Sequence, residues 1–580
     1  MTSPRLELQF IRLWQAFEGK ETETTLQELA ETLHCTRRHV RSLLNKMHQT
    51  GWIDWQAEVG RGKKSTLTFH SNAFDIQQSR AERLLEENDI EKLVALMGDK
   101  DSLRQMVLSQ IEKSFHPSQQ RLRIIYYRPF RNLLPGTPLR RSELHLMSQI
   151  FNSLLHLKEE NGEVEAELAH HWQMLSEQHW RFYLRPAIYF HHGRELTIED
   201  ISTSLMRMKV CNPLYAHIEK ITSPQPYVID IYLTVPDKQF ATLLGSPQAA
   251  ILPQEWRTLA NFSQHPIGTG AYQVMSNDQH KLQIKAFDSY FGLRALLDNI
   301  DIWVVPELKD KMVCSTLHLT DDDTHNNSLE SRKEEGCYFL LYDSRSTQCQ
   351  QPEIREWLSS VLTPVNMLAH CAPSYQRHWS PAYGLLLHWH HSKLIPPHTK
   401  PASLTKLTIT LYKEHHEYST IAELIKKILS DYDIELSIQV LDYEQWYYGD
   451  AKSDIWLATV NFYKPLEFSI FAALYELPLF HQCMGERYED ALALWRQKVL
   501  PLEEWCRQLT QNNWLFPLFH HLLELQGQRT IRGVKMNTFG WFDFKSAWFI
   551  PDLETPPIKI AFSLIIMLIH RNPQSYKHQQ

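Results

Sequence analysis

Apolar side chains recur at intervals of three and four residues over the first 17 positions, and this spacing predicts a helix. A second helix is predicted from Thr25, because Glu28 three residues later completes a capping box. Thr36 is placed to cap a third helix, which Gly51 ends. One side of this third helix is apolar and is expected to face a core: Val40, Leu43, Leu44 and Met47.

The opposite side of the third helix is polar and basic, which is typical of the recognition helix of a helix-turn-helix. Arginine can bind the edge of guanine through two donors, and asparagine can bind adenine in the same way. We therefore predict that the following residues contact base edges: Arg38, Arg41, Ser42 and Asn45. Arg37 lies on the flank near the start of the helix and is predicted to contact a phosphate.

An alternating apolar pattern begins after Gly51 and returns over residues 65–69, which predicts a β-hairpin. The turn of this hairpin is basic, so we predict a wing that contacts phosphates through three residues: Arg61, Lys63 and Lys64. Residues 35–64 contain seven basic and two acidic side chains. Residues 1–70 are therefore predicted to form a winged helix-turn-helix domain. The alternative is a small helical domain that docks a protein and keeps its arginines in solvent.

Residues 71–120 are predicted to form a helical linker. Amphipathic patterns over residues 81–96 and 103–111 predict short helices, and residues 115–120 form a polar break. These helices either pack between domains or form a dimerisation face.

Strand and helix patterns mix after residue 120, which indicates an α/β domain. A β-branched and aromatic run predicts a strand over residues 123–127. Residues 180–200 predict a strand, a proline turn, a second strand, a glycine turn and a helix capped by Thr197. A glycine-rich turn over residues 265–272 leads into another strand, and it lacks the residue spacing of a phosphate-binding loop.

Three segments of this region resemble the extracellular solute-binding proteins of the peptide- and nickel-binding family: AELAHHWQ, WRFYLRPAIYFHHGRELTIEDISTSLMRM and HPIGTGAYQV. The resemblance covers residues 121–550. It implies a ligand-sensing domain of two α/β lobes around a hinge, with the ligand between the lobes. Residues 551–580 would then be a C-terminal extension.

The whole chain resembles the SgrR-type transcriptional regulators in the segments RRHVRSLLNKM, WQAEVGRGKKS and NTFGWFDFKSAWF. This resemblance implies a cytoplasmic activator of a small-RNA gene in the sugar-phosphate stress response, which also represses its own gene. The predicted fold is multidomain, with an N-terminal winged helix-turn-helix, mainly α with a β-wing, and an α/β two-lobed periplasmic-binding-protein-like domain. The expected partners are double-stranded promoter DNA and a small-molecule ligand. The alternative function is a cytoplasmic small-molecule-binding protein whose N-terminal helical domain docks a protein partner.

The composition is that of an ordinary globular chain, with 43% apolar and 22% charged residues among 580. The net charge is −7, so DNA must be met by a local basic surface. None of the eight cysteines forms a C-x-x-C pair, which favours a reducing compartment. Charged residues interrupt the apolar pattern of the first 20 positions, so no secretory signal is recognised and a cytoplasmic location is expected.

Residues 454–474 resemble the family segment in which an Asp-Pro pair helps to hold the amino group of a peptide. Lys464 and Pro465 stand at that place in this chain, which disfavours recognition of a peptide amine. A lysine suits an anionic ligand such as a sugar phosphate. Lys464 is therefore the predicted ligand-binding residue.

The motifs of nucleophilic, metal and phosphate-loop enzymes do not occur, so we predict neither an enzyme nor a cofactor. Adjacent histidines in a strand point to opposite faces, so no metal site is predicted from the histidine pairs. In the tail, only about ten apolar residues run without a charge, whereas a bilayer span needs around twenty. No stable membrane association is therefore expected, and the oligomeric state stays open.

Overall fold

The structure is a computed structural model, and it describes residues 4–58, 64–86, 90–97, 120–307, 328–392, 399–415, 417–485, 489–526 and 531–550. The predicted C-terminal extension over residues 551–580 lies outside the described residues. The same holds for residues 98–119, which include the predicted helix over residues 103–111.

The N-terminal region is built from helices around a small antiparallel sheet of order β1-β3-β2. Its elements are α1 Pro4–Phe17, β1 Thr22–Thr24, α2 Leu26–Thr32, α3 Arg37–Gln49, β2 Ile53–Gln56, β3 Ser65–Phe69, α4 Ala73–Glu86 and α5 Ile90–Met97. The three predicted helices and the hairpin are confirmed, whereas β1 was not predicted. With only three residues, β1 is too short to show a pattern in the sequence, and its pairing with β3 is a tertiary contact.

The predicted helix caps are confirmed. The hydroxyl of Thr25 accepts a hydrogen bond from the Glu28 amide at 3.2 Å, and the Glu28 carboxylate accepts one from the Thr25 amide at 2.9 Å. Thr36 accepts a hydrogen bond from the His39 amide at 3.4 Å and so caps α3. Gly51 follows α3 with a φ of 74°, a conformation that glycine adopts without a side-chain clash.

The apolar side of α3 is buried, as predicted, in a core that α1, α2 and the sheet complete. Helix α4 begins at Ala73, earlier than the predicted helix over residues 81–96, and Ala73 and Ile76 belong to the same core. Buried Glu7 of α1 accepts a hydrogen bond from Arg83 of α4. Helix α4 is therefore packed against the winged helix, and the predicted domain boundaries stay predictions.

Residues 120–307 form two four-stranded sheets, of order β7-β8-β10-β9 and β11-β12-β13-β4. The elements are β4 Arg121–Tyr126, α6 Arg141–Ile150, β5 Leu155–Leu157, β6 Val164–Ala166, β7 Ala169–Ser176, β8 His179–Leu184, α7 Ile198–Cys211, β9 Ile218–Gln225, β10 Val228–Leu233, α8 Phe240–Leu244, β11 Tyr272–Asn277, β12 Lys281–Ala286 and β13 Asn299–Val304. The strand predicted over residues 123–127 is confirmed as β4, and the glycine-rich turn leads into β11 as predicted. Thr197 caps α7, where its amide donates to Asp200 at 2.7 Å.

The second strand predicted within residues 180–200 is wrong. Only an isolated bridge between Tyr189 and Glu195 forms there. Ala187 adopts a φ of 54°, which ends the extended conformation just after the proline. The backbone then bonds elsewhere, since the His191 amide donates to the Gly268 carbonyl at 2.9 Å.

Residues 328–550 form a mixed sheet of order β14-β20-β15-β19-β17-β18, with β16 paired to β20. The elements are β14 Ser328–Lys333, β15 Gly336–Tyr342, α9 Pro352–Val361, α10 Pro364–Ala369, α11 Pro373–His378, β16 Trp379–Pro381, β17 Lys406–Tyr412, α12 Tyr418–Ser430, β18 Glu435–Leu441, α13 Tyr443–Tyr448, β19 Ile455–Asn461, α14 Leu466–Tyr475, α15 Pro478–Met484, α16 Glu489–Arg496, α17 Leu502–Gln511, β20 Leu515–Gln526, β21 Ile531–Arg532 and β22 Trp548–Phe549.

Two apolar cores divide residues 120–550. The first core joins β4, α6 and β11–β13 to residues 531–549, and the second core contains β7–β10 and β15–β19. Strand β20 belongs to both, because Leu515 and Phe519 lie in the second core whereas Leu523 and Leu525 lie in the first. The predicted two-lobed α/β architecture is thus observed, and one strand passes from lobe to lobe.

We expect Thr25→Ala to lower the free energy of local unfolding of α2 by about 1 kcal/mol, because the substitution removes the cap. Hydrogen exchange of the α2 amides in the full chain, followed by mass spectrometry, measures this difference. Gln49→Ala, at an exposed position of α3, is the control and should leave exchange of α2 unchanged. Equal exchange in the Thr25 variant and the wild type would contradict a stabilising role of the capping box.

Candidate functional site

The outer side of α3 is exposed to solvent. The four residues that we predicted to contact bases are all exposed: Arg38, Arg41, Ser42 and Asn45. They lie opposite the buried apolar side because helical periodicity separates the two sets. Helix α3 therefore presents one polar and basic surface of the kind that can enter a major groove.

Arg37 is exposed in the first turn of α3. Its Nε donates to Oε1 of Gln27 in α2 at 2.5 Å, which ties the start of α3 to the preceding helix. The first turn of α3 contains no acidic residue. The guanidinium and the amides of the helix N-terminus thus make this end of α3 electropositive, which suits a phosphate.

Lys64 is exposed and lies directly before β3. The pairing of β2 with β3 ends at Gln56 and Thr66, so Lys64 stands beyond the paired part of the hairpin. Arg61 and Lys63 lie outside the described residues.

A cavity of about 250 Å³ lies between the two cores. The segment between β4 and α6 lines one wall, and residues that follow β17 and β18 line the other. The walls are rich in aromatic side chains: Tyr126, Tyr127, Tyr338, Tyr412, Tyr443, Trp446, Tyr447 and Tyr463. This surface can stack against a flat apolar face of a ligand while its hydroxyls offer hydrogen bonds.

Three arginines line the same cavity: Arg128, Arg140 and Arg141. The buried Arg128 donates to both carboxylate oxygens of Glu143 through Nη1 and Nη2, with Nη2 and Oε2 2.9 Å apart. Arg141 donates to Glu334, which also accepts a hydrogen bond from Asn461. Two of the three guanidinium groups are therefore engaged by a buried carboxylate.

Two arginines of the cavity wall, Arg128 and Arg140, act electrostatically on Tyr127 and Glu143. Burial raises the pKa of a phenol, but the charges of Arg128 and Arg140 hold the pKa of Tyr127 below its ordinary value. The same two arginines lower the pKa of Glu143 against the effect of its burial. The two arginines thus favour the charged forms of Tyr127 and Glu143.

Glu476 lines the cavity just after α14. Its Oε1 accepts a hydrogen bond from Nδ2 of Asn212 at 2.9 Å. Burial raises the pKa of Glu476 to about 7, although the bond from Asn212 acts in the opposite direction. Near neutral pH this carboxyl group can therefore either donate a hydrogen bond or accept one from a ligand hydroxyl.

Lys464, the predicted ligand-binding residue, lines a second cavity of about 630 Å³ that also contains Lys158 and Lys535. Lys464 is exposed, and its ammonium donates to the backbone carbonyl of Glu160 at 2.7 Å. It does not line the first cavity. Its role in binding stays a prediction.

Sequence reasoning missed the arginine and aromatic lining of the first cavity. Residues 128–141, which lead from β4 into the start of α6, carry four arginines within 14 positions, and this density of positive charge was the available signal: Arg128, Arg131, Arg140 and Arg141. The aromatic residues come from distant parts of the chain, so no local pattern could join them.

Within the described ranges, no group of three or more histidine, cysteine or carboxylate residues is arranged to hold a metal ion. Among the helices of the same ranges, none combines the length and apolar character that crossing a bilayer requires.

We expect a pH-dependent effect of Glu476→Gln on stability. The pKa of Glu476 is raised from 4.5 to about 7, so the folded protein keeps a proton there that the unfolded chain has released. The contribution of Glu476 to stability therefore falls as the pH rises from about 4.5 to 7. Thermal unfolding should show the glutamine variant gaining stability relative to wild type between pH 4.5 and 8. Glu467→Gln, at an exposed position of α14, the helix that Glu476 follows, is the control. A pH-independent difference at position 476 would contradict the shifted pKa.

Two family models match the chain. The family described as "Sugar transport-related sRNA regulator N-term" matches residues 5–118. The family described as "Bacterial extracellular solute-binding proteins, family 5 Middle" matches residues 163–313.

Solved structures with the same fold are periplasmic binding proteins. The ABC transporter-associated periplasmic binding protein DppA of Helicobacter pylori, in complex with the peptide STSA, has a TM-score of 0.62 and 15% identity over 75% of this chain and 99% of its own. The binding protein MoaA of A. tumefaciens R10, in complex with mannopinic acid, has a TM-score of 0.60 and 15% identity over 74% of this chain and 99% of its own. At these identities the likeness confirms the two-lobed α/β fold.

Full-length relatives share far more of the sequence. The HTH-type transcriptional regulator SgrR of Photorhabdus laumondii is 62% identical over 95% of this chain and 100% of its own length. The regulator of the same name from Yersinia enterocolitica is 56% identical over the same shares of the two chains. The chain therefore belongs to the SgrR family of HTH-type transcriptional regulators, in which a DNA-binding N-terminal domain is joined to a solute-binding-like domain.

Proposed function

We propose that this regulator acts in the cytoplasm, reads promoter DNA through α3 and its wing, and responds to a sugar phosphate bound between its two lobes. In this proposal the protein activates a small-RNA gene of the sugar-phosphate stress response and represses its own gene. The description of the matching N-terminal family, a sugar transport-related regulator of a small RNA, supports this assignment. No catalytic step is part of the proposal.

The observation that carries the proposal is the two-sided character of α3. Its apolar side is anchored in a core, so the helix cannot turn its basic side away from solvent without exposing Val40 and Met47. In the proposal, four residues of the exposed side contact base edges: Arg38, Arg41, Ser42 and Asn45. Backbone phosphates are contacted by the flanking and wing residues: Arg37, Arg61, Lys63 and Lys64.

The ligand part of the proposal rests on the cavity between the cores. Its volume of about 250 Å³ lies below the roughly 300–1,000 Å³ of pockets for drug-sized ligands, which favours a small solute. A ligand that contacts both walls binds one arrangement of the lobes better than another, and this difference in affinity shifts the equilibrium between the arrangements. The N-terminal domain would sense that shift through the chain that joins it to the lobes.

A cytoplasmic location follows from the proposed role, since the promoter DNA of a bacterium lies in that compartment. The cysteines of the described residues are free thiols, which agrees with a reducing environment.

We expect Arg41→Ala and Lys64→Ala to weaken DNA binding in different ways. Loss of the Arg41 guanidinium should relax the preference for the specific site at one base pair, at a cost of about 1–3 kcal/mol. Loss of the Lys64 ammonium should weaken binding to specific and random duplexes alike. It should also reduce the slope of log affinity against log salt concentration by about 1. Mobility shifts at several salt concentrations measure both effects. Lys452→Ala, exposed in another part of the chain, is the control.

If both variants lost the same affinity for specific as for random DNA, the assignment of Arg41 to a base and Lys64 to a phosphate would be contradicted. Failure of the wild type to bind the promoter of its own gene would favour a protein-docking role of the N-terminal domain.

We expect hexose phosphates to change the footprint of the full chain on the promoters that it controls. The change should appear as altered protection or altered affinity, because the ligand selects one arrangement of the lobes. The unphosphorylated hexose, added at the same concentration, is the control. An identical footprint with and without every hexose phosphate, over a concentration range up to millimolar, would contradict the proposed signal.

A further inference from the structure

Arg140 differs from the two other arginines of the cavity in how its charge is balanced. It precedes α6 on the wall of the first core, and its guanidinium lies over the ring of Tyr443 on the opposite wall, 5.1 Å from the ring centre. Its Nη2 is 3.6 Å from Oε1 of Glu143, whose two oxygens already accept hydrogen bonds from Arg128. Glu143 therefore contributes charge to Arg140 but makes no hydrogen bond with it.

The second acidic neighbour of Arg140 is Glu414, which follows β17 on the opposite wall. Nη1 of Arg140 and Oε2 of Glu414 are 3.8 Å apart. Both atoms are buried, and neither has a hydrogen-bond partner among the residues that the structure describes. The two side chains are only 21% and 28% exposed, so water cannot fully solvate the charges. The pair thus attracts across the cavity without the hydrogen bonds that would make it strong.

The surroundings of this pair indicate which ligand group would bind the Arg140 guanidinium better than Glu414 does. A phosphate monoester carries a charge of about −1.5 to −2 at neutral pH and three acceptor oxygens, so it satisfies a guanidinium fork better than a distant carboxylate does. The aromatic walls offer a stacking surface for a ring. The Glu476 carboxyl, in the same cavity, can bind a hydroxyl group.

We propose that Arg140 anchors the phosphate of a small phosphorylated, hydroxyl-bearing ligand, and that Glu414 is the counter-ion which this phosphate displaces. The inference rests on the proposed function, and it names the residues that give the sensor its preference for an anion. Glu414 is partly exposed and belongs to the loop before α12, so it can turn toward solvent when the phosphate arrives. Because Arg140 and Glu414 stand on opposite walls, their separation would also alter how the lobes are held together.

Isothermal titration of the full chain with glucose 6-phosphate, glucose and inorganic phosphate tests the anchor. The wild type should bind glucose 6-phosphate more tightly than either fragment. Arg140→Ala should lower the affinity for glucose 6-phosphate by at least about tenfold, since a hydrogen-bonded charge contributes more than the roughly 1.4 kcal/mol of a tenfold change. Arg131→Ala, an exposed arginine of the same segment, is the matched control and should bind as the wild type does.

Glu414→Gln tests the displacement without removing the anchor. The amide keeps the shape of the side chain but not its charge, so the phosphate meets less competition and the affinity should rise about threefold or more. If Arg140→Ala does not fold, this variant still tests whether the phosphate binds at the Arg140–Glu414 pair. Unchanged or weaker binding in the glutamine variant would overturn the role of Glu414.

The outcomes separate this inference from the proposed function. Loss of binding in Lys464→Ala together with wild-type binding in Arg140→Ala would overturn the anchor and leave the sugar-phosphate sensor standing, with its anion in the second cavity. Absence of binding by the wild type to all three probes would overturn both the anchor and the sugar-phosphate signal. The mobility shifts on promoter DNA decide the DNA-binding role independently of either result.

Discussion

Strand β20 connects the two apolar cores of the solute-binding-like domain, and the position of the cavity depends on this connection. Its first half packs in one core and its second half in the other, so the lobes cannot separate completely without disrupting the strand. Across the space between the cores, Arg140 lies 5.1 Å from the ring centre of Tyr443 and 3.8 Å from Oε2 of Glu414. Closure of such lobes is a change of angle about shared strands, which is a motion that a small ligand can bias.

Placing charged side chains between the cores removes them partly from water, which is unfavourable. Most of the arginines there are therefore paired with glutamates. Arg128 and Arg141 are each bound by a buried carboxylate, and this pairing offsets the cost of removing the charges from water. Arg140 has carboxylates near it, but within the described part of the chain its Nη1 makes no hydrogen bond. Such partial compensation is poor for stability, and it leaves capacity for binding an anion. Binding sites commonly depart from the pairing rules that the rest of a fold obeys.

In the N-terminal domain, the single helix α3 serves both folding and recognition. The period of α3 places every apolar residue on one side and leaves a continuous polar side for contacts with a partner. Helix α4 then adds Ala73 and Ile76 to the same core, and the pair between Glu7 and Arg83 joins it to α1. A movement of the chain that follows α4 would therefore shift α4, which packs in the same core as the recognition helix α3.

The sequence alone determined the local parts of this protein. The caps at Thr25 and Thr36, the buried side of α3 and the hairpin follow from neighbouring residues, since helical and strand periods and capping bonds act over a few positions. The motifs of the second region were specific enough to identify the two-lobed fold. The second strand expected within residues 180–200, after Pro186, does not form, because the backbone there bonds to a distant segment, as the His191 amide does to the Gly268 carbonyl. The sequence also could not assemble the cavity, whose two walls come from distant parts of the chain: the Tyr443 hydroxyl donates to the Leu139 carbonyl across 304 positions. Only the packing of the two cores brings these groups together, because burial and charge balance between distant segments leave no periodic trace in the chain.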